Sequence, residues 1–98
     1  MDVQDLAKNA GNLTDYQFEQ KLHELVRENY HYRNLNSANQ KIILNIVHKY
    51  KDYIRKGLGI PYSSRSHEIY VLSQNKIKLK LSDVDLKDIK EILEAFRK

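Results

Sequence analysis

Hydrophobic residues recur at helical spacing through the first half of the chain and alternate with polar ones in part of the second. Thr14-Asp15-Tyr16-Gln17 has the form of a capping box, with the Thr14 hydroxyl taking an orphan amide and Gln17 reaching back. Leu13 and Phe18 flank it where a hydrophobic staple would join them. Phe18, Leu22, Leu25 and Val26 then mark the inner face of a helix predicted to reach about Tyr30, with Gln20, Glu24, Arg27 and Glu28 opposite. A second box, Ser37-Ala38-Asn39-Gln40, opens a helix predicted to run to about Lys56. On it Ile42, Ile43, Ile46, Val47, Tyr50, Tyr53 and Ile54 share one broad arc. Gly57 suits the left-handed position after a helix end, and Pro61 prevents resumption. Before all this, Val3, Leu6, Ala7 and Ala10 allow a short helix or a flexible tail over residues 1–12, ending at Gly11-Asn12.

The second half reads differently. Residues 67–72 are β-branched and aromatic, and residues 76–81 alternate lysine with apolar side chains, Gln74-Asn75 lying between. This predicts a β-hairpin that pairs Tyr70 with Leu79 and Leu72 with Ile77, lysines lining its outer face. Ser82-Asp83-Val84-Asp85 starts a last helix with the stripe Leu86, Ile89, Ile92, Leu93 and Phe96. The fold class expected is therefore α+β: two or three N-terminal helices, a hairpin and a C-terminal helix, in the order (α)ααββα. Residues 13–98 form a single domain in this reading.

Charge refines the picture. The 98 residues carry a formal net charge of +4. Residues 29–66 hold Arg33, Lys41, Lys49, Lys51, Arg55, Lys56 and Arg65 against Asp52 alone, together with Tyr30, Tyr32, Tyr50, Tyr53 and Tyr62. Cations interleaved with aromatics suit a polyanion, because phosphates meet charge while bases stack on rings. The expected binding residues are Lys41, His48, Lys51, Arg55 and Lys56 on the long helix, Arg65 in the following loop, and Lys76, Lys78 and Lys80 on the hairpin. Tyr30, Tyr32 and Tyr62 are the stacking candidates. The leading expectation is thus a small basic, non-enzymatic regulatory module for DNA, RNA or an acidic protein, located in the cytoplasm. A protein–protein regulator is the alternative: the long helix has apolar residues to spare, with Leu44 and Leu58 outside its main arc, which also allows a homodimer.

Several chemistries have no basis in the sequence. There is no cysteine, so thiolate metal sites and cysteine nucleophiles are excluded. The three glycines form no phosphate loop. The acidic N-terminus does not resemble a secretory signal, and no apolar run suits a membrane span. His23, His31, His48 and His67 include no helical i, i+4 pair, so no metal and no cofactor are expected. Asp83, Asp85 and Asp88 are accounted for by helix capping and the helix dipole.

One constellation points to catalysis. Arg65-Ser66-His67-Glu68 places a histidine at the start of the expected first strand, where it could act as general base on a phosphodiester. Ser66-His67 entering a strand, followed by a second strand and a leucine-rich helix, resembles the HicA-type toxins over residues 57–96. The resemblance implies a double-stranded-RNA-binding-like fold, His67 as catalytic residue of a small ribonuclease, and a HicB-type antitoxin as partner. Arg65 stands where that family has glycine, and residues 1–36 have no counterpart in it.

Overall fold

Three capping boxes set three helix starts, each with a side chain at the cap and one three residues on that satisfy each other's backbone amides. Asp2 with Asp5 opens α1 (Val3–Asn9), Thr14 with Gln17 opens α2 (Asp15–Glu28), and Ser82 with Asp85 opens the last helix, Asp83–Glu94. Between them lie α3 (Ser37–Lys49), α4 (Lys51–Arg55) and α5 (Tyr62–Gln74), so the last helix is α6. Short 3₁₀ turns at Ala10–Asn12 and Tyr30–Tyr32 complete the order. The computed structural model describes residues 2–97, and among them there is no strand. No helix among the described residues is long and apolar enough to cross a membrane.

The helices enclose one cluster of buried side chains that draws on α1 (Leu6), α2 (Phe18, Leu22, Leu25), α3 (Ile43, Val47) and α6 (Ile89, Ile92, Leu93), with Ile60 and Phe96. The inner faces expected for α2 and α6 are the buried ones. Two details of the long helix differ from expectation. Its cap is Asn36, whose side chain accepts from the Asn39 amide at 2.9 Å, so Ser37 lies inside the first turn. At Tyr50 (φ −108°, ψ 19°) the helix breaks into α3 and α4. Its end is as read: Gly57 has φ 78°, with Leu58 N–H donating to the Tyr53 carbonyl and Gly57 N–H to that of Ile54. These paired bonds are a Schellman cap.

Gly11 reads in sequence as a helix stop, but its position is decided by packing. A Cβ there would lie 2.9 Å from Arg55 Cα and 3.2 Å from Arg55 N. The 3₁₀ turn thus seats its backbone directly on α4, where no side chain fits.

The α+β expectation and its hairpin are overturned, because residues 67–72 are helical and no partner strand exists for 76–81. The physical reason lies in which residues of α5 face inward. Arg65, Glu68 and Leu72 are its buried positions, with Ile69 half-buried, at helical spacing. Two of these are charged, which hides the 3.6-residue period from any reading by hydrophobicity, while exposed Tyr70 and Val71 imitate a strand. Charge pairing replaces apolar contact: Arg65 bonds Glu94 on α6, and Glu68 accepts from Lys49 Nζ and Tyr50 OH, each at 2.8 Å.

Residues 75–81 form a helical turn in place of the second strand. Leu81 N–H donates to the Lys76 carbonyl at 2.9 Å and Lys80 N–H to that of Ile77 at 3.1 Å, another Schellman pattern. Its left-handed residue is Lys80, φ 58°, a position that favours glycine. Lys80→Gly is therefore expected to stabilise the protein. The gain is about 0.5–1 kcal/mol once glycine's extra chain entropy is deducted, and thermal unfolding should show Tm rising by a few degrees.

Candidate functional site

The basic arc of α3 and α4 is largely spent on the protein itself. Lys41 Nζ lies 3.7 Å from Glu19, and His48 Nδ1 and Lys51 Nζ lie 2.9 and 3.7 Å from Asp15 carboxylate oxygens. The hydrogen bond from His48, with the His48 and Lys51 charges, lowers the Asp15 pKa against a burial penalty that raises it. Two acids of α2, Asp15 and Glu19, thus pair with three basic residues of α3 and α4. Only Arg55 and Lys56 of this group are exposed without an ion-pair partner among the described residues.

Arg65 is 7% exposed. Its Nε donates to the Ile60 carbonyl at 3.0 Å, and its guanidinium packs 5.5 Å from the Tyr62 ring centroid while bonding Glu94. Its guanidinium is thus nearly buried and already engaged by Glu94 and the Ile60 carbonyl at the base of the α5–α6 surface. Nearby, burial raises the Glu68 pKa, but the hydrogen bonds from Lys49 and Tyr50 and the Lys49 charge outweigh it, leaving the carboxyl below its usual value. On the turn after α5, Lys76 bonds Asp83, whereas Lys78 and Lys80 are exposed without such a partner among the described residues. Among the stacking candidates, Tyr32 is buried, its hydroxyl 3.5 Å from Glu91. Tyr30 is exposed beneath the Arg33 guanidinium, and Tyr62 is exposed on α5. Leu44 belongs to the core and Leu58 is half-exposed, so they form no common patch.

What the structure does bring together is a groove of about 420 Å³ between α5 and α6, lined by Tyr62, Ser66, Tyr70, Ser73 and Lys90 above the Arg65–Glu94 pair. Ser73 also borders a second depression, formed with Lys76, Ile77 and Lys78 on the turn after α5. The groove's carboxylate is already bound to Arg65, and Lys90 makes no ion pair among the described residues. Tyr70, Ser73 and Lys90 were not among the sequence candidates. The signal existed, since at 100° per residue Tyr62, Ser66, Tyr70 and Ser73 fall within roughly 80° of arc, but only once the segment is taken as a helix. His67, the catalytic candidate, is exposed on α5 with no hydrogen bond to another side chain among the described residues, and the strand-based resemblance to HicA-type toxins loses its fold.

A second cluster joins elements far apart in sequence. His31 Nε2, in the 3₁₀ turn after α2, lies 2.7 Å from a Glu91 oxygen and 3.5 Å from an Asp88 oxygen on α6. Comparison with protein-family models, with curated proteins and with solved structures finds no match for the chain.

Proposed function

We propose that the chain is a non-enzymatic binding module, expected in the cytoplasm, that takes a single-stranded nucleic acid along the α5–α6 groove and the turn after α5. The observation that carries this reading is the pairing of exposed Tyr62 and Tyr70 with Lys90 in one groove, whose Ser73 also borders the depression that Lys78 lines. Tyrosine faces offer sequence-tolerant stacking, Ser66 and Ser73 offer hydroxyls, and the lysines meet phosphates as mobile point charges. The two tyrosines are separated by about 12 Å along α5, from the rise of a helix. They would therefore stack on bases that are not immediate neighbours.

The test is fluorescence anisotropy with short labelled DNA and RNA single strands, from low to physiological salt. Lys78→Glu with Lys90→Glu is expected to weaken binding at least tenfold and to flatten the salt dependence by about 1.4 in log–log slope, from two lost phosphate contacts. Lys41→Glu, by contrast, alters a residue already paired with Glu19 and should change binding little. Undiminished binding in the double variant, or none in wild type at low salt, would refute the groove's role. A protein partner is the second reading, favoured by Ile77, which is 92% exposed beside Lys78. It calls for an association in sedimentation experiments that Ile77→Ser removes.

A further inference from the structure

Asp88 poses a problem that its place on a helix does not solve. It is 2% exposed, its Oδ2 has no hydrogen-bond partner among the described residues, and its Oδ1 lies 3.5 Å from His31 Nε2. A carboxylate removed from water this completely needs compensation, and the dipole argument applies to the first turn of α6, which Asp88 has left behind. Three residues further, Glu91 projects from the same face of α6 and reaches the same imidazole nitrogen. Ligand atoms of His31, Asp88 and Glu91 all lie within 4.8 Å of one another.

We propose that these three side chains form a site for one divalent ion of the zinc class. The donors are one imidazole nitrogen and two carboxylates, a set with no sulfur that suits Zn²⁺ and its first-row neighbours. Ligands at Zn–N and Zn–O distances of about 2.0–2.2 Å in tetrahedral array stand about 3.4 Å apart. The His31–Asp88 separation of 3.5 Å already meets that spacing. The His31–Glu91 contact of 2.7 Å must open by about 0.7 Å to reach the same spacing. Glu91 can do this, because its side chain is 39% exposed. Behind it the Tyr32 hydroxyl, 3.5 Å from the Glu91 oxygen, supplies the outer-shell donor that ligating carboxylates commonly have. The half-exposed imidazole leaves the fourth position open to water or a ligand. The ion would join the turn after α2 to α6 and neutralise Asp88.

This proposal is independent of the nucleic-acid reading and contradicts the expectation from histidine spacing, which sees only ligands on one helix. Its test is calorimetric titration of the full chain with ZnCl₂ near neutral pH, with Tm followed in parallel. CoCl₂ serves as a second probe through its visible absorption. The expected result is one zinc per chain and a Tm that rises with zinc. Affinity should fall at least tenfold in each of His31→Gln, Asp88→Asn and Glu91→Gln. His31 and Glu91 are partly exposed and Asp88→Asn removes a buried charge, so the metal-free variants should fold, and their Tm values check this. Absence of saturable binding would overturn the proposal. So would binding that survives these three changes and disappears in His48→Gln, which breaks the exposed Asp15–His48 pair instead.

Discussion

Phe96→Ala is expected to destabilise the protein by about 3–5 kcal/mol, the range for emptying a large aromatic site in a packed core. Phe96 is 2% exposed, lies just past the end of α6, and sets its ring 6.3 Å from that of Phe18 on α2. Its carbonyl also accepts from the Ile60 amide at 2.8 Å, which fixes the segment leading into α5. One residue near the chain end thus ties together α2, α6 and the approach to α5. For a domain of this size the loss would lower Tm by well over 10 °C and use much of a typical stability of about 5–15 kcal/mol. Urea unfolding checks it, and a change below about 1 kcal/mol would mean that the ring is not a core element.

Arg65→Ala should come next in size, at about 3 kcal/mol, toward the low end for breaking a buried ion pair. Glu94 is partly exposed and can be rehydrated, which limits the loss. The Ile60 carbonyl, in a residue 1% exposed, loses the guanidinium donor, and the buried arginine stem leaves a gap. The two readings of Arg65 separate cleanly here. A phosphate-contacting arginine would leave Tm unchanged and weaken polyanion binding, whereas the structural one lowers Tm by about 12–24 °C. Thermal unfolding of the variant decides between them.

Capping and amphipathic spacing were legible at several places where local chemistry acts alone, though the cap of α3 is Asn36 and not Ser37, and the Asp2–Asp5 box went unread. Thr14 with Gln17, Ser82 with Asp85, the stripes of α2 and α6 and the Gly57 terminus all follow from side chains and amides a few residues apart. Reading failed at α5, because Arg65 and Glu68 occupy inward positions that only partners on α3 and α6 make tolerable. It failed again at residues 76–81, where alternation has meaning only beside another strand. Lys41, His48, Lys51 and Arg55 are helical as expected, though on two helices, whereas Arg65 lies on α5 and not in a loop; the availability of the first three depended on where the α2 acids came to rest. Asp15 and Glu19 approach Lys51, His48 and Lys41 only through tertiary packing.

By itself, then, the sequence determined the helices whose apolar faces and caps are local, the absence of thiol chemistry and the excess of positive charge. Tertiary structure alone decided that Tyr62–Gln74 is a helix, which cations remain free, and that His31 meets Asp88 and Glu91. The reason is common to all three: a charged side chain has no fixed preference for surface or interior until its partner is placed, and apart from Asp83, the partner of Lys76, those partners lie 19 to 60 residues away in the chain.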